Sequence, residues 1–416
     1  MNIGYAIWDR GGNFLAGGGL DSLTGHDFWG LTDPQVIWDW TTQRFYYVVV
    51  DRINNNVAWG FSKTDSPSSN FGEWCRYTSD FGYSGVFPDY PKLGDSADFL
   101  LIGINAFRNN GTTLSKFVGG DLAWIAKPSS GPLTTCPATN EFNTGRFAKL
   151  KNADGSLAFT PSPADLVDSS PSGYVVSAAD AAYSKKTNFL TIREVTKGPG
   201  GLAVLSAPRN LPVSTFAVPA SAPQAGTKEV LDTLDGRLEH AVAAFDPRFG
   251  RTTVWTAHAV FGGAGSEERW YEIDPATTPA LLQSGAASSP SQYVFNGAIS
   301  PDRAVSSAGS GFGSNMVLGF NTSSAQEFPA IRMVSKIGSN PQSRLVLITQ
   351  SPGPYDSFGC HPELACRWGD YSGATPDPVA PLGGSTGKVW LTNEWNFDLP
   401  SPNAVEWRTW NWAATP

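Results

Sequence analysis

The sequence predicts an all-β fold, a single six-bladed β-propeller, and three observations predict it. Apolar residues alternate or run in blocks of four to eight between Gly, Pro, Asn and Asp, as in Phe45–Val50, Phe99–Ile104 and Leu345–Ile348, which is strand patterning. Gly 44 and Pro 31 among 416 residues, with Trp 15, Phe 24, Tyr 12 and Met 3, describe a turn-dense aromatic protein rather than a helical bundle. One unit, a short strand, a turn often carrying Asp-Pro or Pro-Asp, then an aromatic or aliphatic strand, recurs along the chain.

Taken in order, Asp33-Pro-Gln-Val-Ile-Trp-Asp39 leads into Arg44-Phe-Tyr-Tyr-Val, and Asp89-Tyr-Pro-Lys-Leu-Gly94 into Asp98-Phe-Leu-Leu-Ile. Tyr174-Val-Val-Ser177 leads into Asn188-Phe-Leu-Thr-Ile, and His240-Ala-Val-Ala-Ala-Phe-Asp-Pro247 into Thr253-Val-Trp. Phe295-Asn-Gly-Ala-Ile-Ser-Pro-Asp302 leads into Met316-Val-Leu, and the segment from Arg367 to Pro378 into Lys388-Val-Trp-Leu. A propeller blade is a four-stranded sheet of roughly 40–50 residues, so six such starts with generous loops fit the length. The blades are expected near 28–66, 73–128, 145–220, 225–283, 291–352 and 366–412, all in one domain spanning 1–416. Seven blades, made by splitting the long third unit, are the alternative. Stacked sandwiches would not repeat one unit in this way. The N-terminal strand Tyr5 to Trp8, within 1–15, is expected to close the last blade beside Val405 to Trp410. Ser162 to Asp168 leaves room for one helical turn, and no other helix is expected. Asp246, Asp302 and Asp377, each beside a proline, read as turn formers.

The net charge of −8 and pI near 5.1 argue against nucleic acid, because a duplex surface needs Lys/Arg clusters and Lys185–Lys186 is the one adjacent basic pair. The same balance argues against an anionic membrane surface, and no apolar run approaches the roughly 18 residues of a membrane span. An even count of four cysteines reads as two disulfides in an oxidising compartment, Cys360 with Cys366 across a short loop and Cys75 with Cys136. The rival is a zinc site from Cys360, His361 and Cys366, which lacks a second ligand pair elsewhere. Met1 is followed directly by strand-like residues, so a secreted precursor would have lost its leader. The sequons at Asn110 and Asn321 are expected by chance.

Asp33-Pro-Gln-Val-Ile-Trp-Asp with Arg44-Phe45, Pro88-Asp-Tyr-Pro-Lys-Leu-Gly94 and Cys366-Arg-Trp-Gly-Asp-Tyr-Ser-Gly-Ala-Thr-Pro-Asp-Pro378 together resemble uncharacterised secreted bacterial proteins of the sialidase-like, BNR-type β-propeller group. Arg269-Trp-Tyr-Glu-Ile-Asp274 and Phe295-Asn-Gly-Ala-Ile also resemble that group, so the likeness spans most of the chain. It implies a propeller, secretion and, weakly, glycan chemistry. True sialidases need an arginine triad, a Tyr–Glu nucleophile pair and Asp-boxes, and this sequence has no clear Arg-Ile-Pro start and no Ser-x-Asp-x-Gly-x-Thr-Trp box.

In a propeller the inner strands line a channel, and residues at their starts converge on one face. The starts give a polar ring of Asp33, Asp89, Tyr90, Lys92, Asp168, His240, Asn296, Arg367, Asp370 and Tyr371. Asp89, Tyr90, His240 and Asp370 are the catalytic candidates. Asp33, Lys92, Asn296, Arg367 and Tyr371 are the substrate-binding ones. Asp89 with Asp370 would serve glycoside hydrolysis. Tyr90 with His240 beside Arg367 would suit proton abstraction by a polysaccharide lyase. Carboxylates plus carbonyls would instead hold a structural Ca²⁺, no other cofactor being expected.

Each residue also has a structural reading. Asp33 would cap a turn, Lys92 would pair with Asp89, His240 would hydrogen-bond within the fold, and Arg367 with Asp370 would lock the last blade. Trp29, Trp38, Trp40, Trp395 and Trp407 would pack between blades rather than stack on sugars. No nucleophile elbow, zinc-protease helix or phosphate loop is present, and Gly262 to Ser266 reads as a plain loop. The expectation is a secreted monomer that binds or processes extracellular carbohydrate. The alternative is a non-catalytic glycan-binding or protein-interaction scaffold.

Overall fold

A computed structural model of the chain describes residues 4–26, 28–68, 71–108, 116–360, 365–397 and 407–416. The fold is nearly all β, and its six successive antiparallel sheets are the blades of a six-bladed β-propeller. The first holds Leu31–Asp39, Arg44–Asp51, Asn56–Ser62 and Trp74–Ser79, each strand paired with the next along the chain. The second repeats this with Val86–Asp95, Phe99–Arg108, Lys116–Ala126 and Thr144–Phe147. The third holds Phe159–Pro163, Gly173–Ala178 and Phe189–Lys197, the last pairing with both Ala203–Leu205 and Arg209–Pro212. The fourth runs from His240–Asp246 to Ala280–Ala287, and the fifth from Tyr293–Pro301 to Val346–Gln350. In the sixth, Gly373–Pro376, Val389–Asn396 and Trp407–Ala414 are paired.

Two of the expected turn formers cap the turn after their strand: Asp246 accepts from the Arg248 N–H at 2.7 Å and Asp377 from Val379 at 2.9 Å. Asp39 does the same for Thr41 at 2.8 Å. In each case a carboxylate at the strand end satisfies turn N–H groups that the ladder leaves over. Asp302 is not a local turn former; it accepts from Gly313 and Gly387, both at 2.8 Å, and so ties distant loops to its strand end.

The chain divides into two compact units, 1–151 with 157–175 and 193–208, and 152–156 with 176–192 and 209–416. In the first unit, Tyr46, Trp59, Phe61 and Tyr77 of the first sheet pack with Leu100, Ile102 and Ile104 of the second. Trp59 and Tyr77 stack with centroids 4.4 Å apart. A second layer joins Phe99, Leu122 and Trp124 to Val175 and Val195. In the second unit Trp255 and Trp270 pack with Ile299, Leu318 and Phe320, and Val317 and Ile331 with Leu391 and Trp412. The apolar alternation of each strand is thus spent face to face against the neighbouring sheet. Trp59, Trp255, Trp270 and Trp368 are among the largest fully buried side chains, whereas Trp29 is 79% exposed.

Five readings from sequence change. The strand Gly4–Trp8 pairs with Phe14–Gly19 through a short turn that Asp9 caps, rather than closing the last blade; Val405 lies outside the described residues. Trp74–Ser79, placed by sequence in the second blade, is the outer strand of the first, and Thr144–Phe147, placed in the third, is the outer strand of the second. Ser162 to Asp168 forms no helical turn, because Phe159–Pro163 and Asp165–Leu166 are strands and their prolines suit extended backbone. A five-residue helix, Leu20–Thr24, burying Leu20 and Leu23, ends at left-handed Gly25. The disulfides are Cys75–Cys136 and Cys360–Cys366, as read; Asn110 and His361 lie outside the described residues.

Candidate functional site

The Asp33-Pro34, Tyr90-Pro91 and Asn296-Gly297 pairs are bulges inside the inner strands rather than turns. Thr32 faces Val50 and Gln35 faces Val48, so Asp33 and Pro34 together oppose one residue. Asp89 faces Asn105 and Lys92 faces Gly103, leaving Tyr90 and Pro91 opposite Ile104. Phe295 faces Asn321 and Ala298 faces Gly319, leaving Asn296 and Gly297 opposite Phe320. The first residue of each pair is left-handed, with φ 57° at Asp33, 54° at Tyr90 and 54° at Asn296. Thr160, before Pro161, has φ 44°, and Gly369 has φ 55°. Such a conformation is uncommon for residues other than glycine, and its recurrence at equivalent strand starts marks a designed feature. Proline fits the second position because a bulge leaves one N–H without a ladder partner. In the first, second, third and fifth sheets the device re-aims one polar side chain, that of Asp33, Tyr90, Thr160 or Asn296.

In the first unit this places Asp33, Asp89, Tyr90 and Lys92 at the starts of two inner strands. Asp33 is buried and accepts from the Thr32 hydroxyl at 2.6 Å. The Lys92 ammonium lies 4.1 Å from the Tyr90 ring centroid, a cation–π contact between two buried side chains. Asp168 is half-buried beyond the third sheet's first strand.

The far ends of the same strands carry a different constellation. The Lys127 ammonium, 2% exposed, sits 2.8 Å from Asp39 and 2.6 Å from Asp95. Burial alone would lower its pKa, and the two carboxylates reverse that and raise it. Burial, offset in part by Lys127, pushes Asp95 up to about 6. Burial, and then the charges of Asp95 and Asp39, push Asp165 well above the ordinary carboxylate range. This is an ion-pair lock that the sequence gave no sign of.

In the second unit Asn296 lies against the segment that carries Arg367, Asp370 and Tyr371. The Asn296 side-chain amide donates to the Trp368 carbonyl at 2.9 Å, and the Asn296 backbone carbonyl accepts from the Ser372 hydroxyl at 2.8 Å. Arg367 is ion-paired with Asp370. The Gly369 N–H donates to Glu394 Oε2 at 3.0 Å, while Oε1 of the same carboxyl is sealed from solvent and has no hydrogen-bond partner. Burial, with Asp370 adding repulsion, raises Glu394 to about 8. Although the residue is only half-buried, its carboxyl group is enclosed.

Behind Asn296, Glu268 is fully buried with neither carboxyl oxygen in a side-chain hydrogen bond; burial and then Glu239 push it well above the usual range. A Cβ on Gly297 would come within 2.5 Å of the Glu268 carboxyl carbon, so only glycine leaves room for that group. His240 uses Nδ1 on the Ile299 carbonyl at 3.1 Å, which is the structural reading of that residue. Tyr90 belongs to the first unit and His240 to the second, each with partners of its own.

Sequence reasoning missed Glu239, Glu268 and Glu394. Glu268 was legible in part: Glu268, Trp270 and Glu272 alternate along Glu267–Asp274, which puts two carboxyls on the face that carries a core tryptophan. Glu394 gave no such signal. Chemically, the second-unit cluster sets a carboxyl that burial raises to about 8 near an ion-paired carboxylate, on a segment that also carries an arginine and a tyrosine and packs against an asparagine. Environments that set two carboxyls in opposite protonation states are the basis of acid–base assignments. Among the described residues no group of three or more His, Cys, Asp or Glu is arranged to hold a metal ion.

Comparison with known proteins finds no family model that matches the chain and no match among curated proteins. Solved structures are similar at low identity. An α-L-arabinofuranosidase from Lactobacillus brevis is 11% identical, covering 92% of this chain and 90% of its own at TM-score 0.39. An endo-arabinase from Bacteroides thetaiotaomicron is 11% identical over 92% and 93%, at TM-score 0.33. A Trypanosoma rangeli sialidase is 10% identical over 94% of this chain and 56% of its own, at TM-score 0.41, so this chain spans little more than half its length. Similarity of this degree does not specify an activity.

Proposed function

We propose that the protein binds extracellular carbohydrate and hydrolyses a glycosidic bond at the second-unit cluster. Glu394 is the proton donor and Asp370 the anionic partner. Asn296, Arg367 and Tyr371 orient the sugar. One observation carries the reading: Glu394, raised to about 8, is protonated at neutral pH and keeps Oε1 unbonded beside the ion-paired Asp370. A general acid needs a proton it holds at working pH and a free oxygen from which to deliver it, and glycoside cleavage needs that acid opposite an ionised carboxylate. The Gly369 N–H fixes the carboxyl plane, so the donor needs little reorganisation.

The proposal includes secretion. Two disulfides suit an oxidising compartment. Among the described residues no helix is long and apolar enough to cross a membrane. The resemblance to secreted sialidase-like propellers belongs to the same reading. So does a monomeric state, since closing a ring of blades removes sheet edges.

The test is a panel of plant, algal and bacterial polysaccharides, with and without EDTA, read by reducing ends and by the absorbance of unsaturated uronates. New reducing ends without that absorbance are expected. Glu394→Gln should lower turnover by about 10²-fold or more while binding persists. Unsaturated products would replace hydrolysis by a lyase reaction. Binding without turnover across the panel would leave a glycan-binding module.

A further inference from the structure

We infer that the first unit carries a second binding site, for a sugar carboxylate of the uronate type, in a cleft between the outer strands of the first two sheets. The cleft has a volume of about 640 Å³ and lies between Trp74–Ser79 and Thr144–Phe147, with the 80–82 turn at its edge. That volume falls within the range of small-molecule sites. Its lining is polar: Asn56 and Thr144 offer amide and hydroxyl groups, and the hydroxyls of Thr78, 2.6 Å from His26 Nε2, and Ser79, which accepts from Trp59 Nε1 at 3.0 Å, each keep one further hydrogen-bonding direction, which suits a polyol.

The cation in the lining is Arg146, and its bonds within the protein are long. NH1 stands 3.5 Å from Asp121 Oδ2, and NH2 is 3.5 Å from the Gly82 carbonyl, both at the outer limit of a hydrogen bond. Asp121 spends its short contacts elsewhere, accepting from the Lys149 N–H at 2.7 Å and the Tyr83 hydroxyl at 3.0 Å. The guanidinium lies over the Tyr83 ring, 4.2 Å from its centroid, which fixes its plane. A planar fork held in place, a quarter exposed and weakly paired, is the geometry that takes a carboxylate with two parallel hydrogen bonds. The hydroxyls around it then meet the sugar ring. Asp80, also part of the lining, accepts from the Gly82 N–H at 3.0 Å.

This site uses none of the residues of the proposed hydrolytic cluster, so the two readings are separable. Glucuronate and galacturonate would be titrated against the full chain by calorimetry, with glucose and acetate as controls. Uronates should bind wild type and Glu394→Gln equally. Arg146→Gln should weaken that binding at least tenfold and leave turnover on neutral polysaccharide unchanged. Thr144→Val, which keeps the guanidinium, should weaken uronate but not acetate. Uronate binding that survives Arg146→Gln, or that is lost in Arg367→Gln instead, would overturn the site. So would equal affinity for glucose, or no uronate binding to wild type. Unchanged far-ultraviolet circular dichroism and melting temperature of each variant would exclude misfolding as the cause.

Discussion

Glu394→Gln should alter the pH dependence of stability in a way that follows from one buried proton. In the folded protein burial holds Glu394 at about 8, against an ordinary value of 4.5. A carboxyl with a raised folded pKa contributes stability that is fully present below 4.5 and is lost as pH rises through about 8. Between those limits the folded state binds one proton more than the unfolded chain, so stability falls by about 1.4 kcal/mol for each pH unit. Glutamine keeps the oxygen that accepts from Gly369 and puts a non-titrating amide where Oε1 lies. The variant should therefore lose this slope, so its stability relative to wild type climbs steadily from pH 5 to pH 8 and levels off above. Glu272, also raised to about 8 chiefly by burial, titrates in both proteins and cancels in the difference. The assay is urea unfolding of both proteins at half-unit pH steps and constant ionic strength. A difference that stays flat from pH 5 to pH 8 would mean that Glu394 is ionised in the folded state. It would remove the proton donor from the proposed hydrolysis as well.

Lys127→Met leaves Asp39 and Asp95 facing each other without their shared cation, and should cost about 3–5 kcal/mol in chemical denaturation; Asp95→Asn in the same chain should recover part of it. Gly103→Ala drives a Cβ to within 1.7 Å of the Pro161 carbonyl oxygen and should destabilise by about 3 kcal/mol, whereas Gly311→Ala, with nothing within 4 Å, should stay within about 0.5 kcal/mol of wild type. Replacing Cys75 and Cys136 by Ser opens a link across 61 residues and should cost about 4 kcal/mol. The same change at Cys360 and Cys366, separated by 6 residues, should cost about 2 kcal/mol, both read from the urea midpoint.

By itself the sequence determined the β class, the sixfold repetition, the cysteine pairing and the turn-capping role of Asp246 and Asp377. These rest on local rules: strand periodicity, the fixed φ of proline, and a carboxylate that reaches N–H groups two residues away. It also brought Asn296, Arg367, Asp370 and Tyr371 into one list, because they sit at matching points of a repeat that local patterning exposes. It misread Asp33-Pro34 as a turn, since a left-handed residue before proline becomes a bulge only once a partner strand sets the register. It placed Trp74–Ser79 in the wrong sheet, because a strand's sequence does not say which neighbour will pair with it. Tertiary structure alone decided that Lys127 would be locked between Asp39 and Asp95 and that Glu394 would hold its proton at neutral pH. Both outcomes depend on desolvation and on charges brought close from distant points of the chain, and neither quantity exists until the sheets have packed.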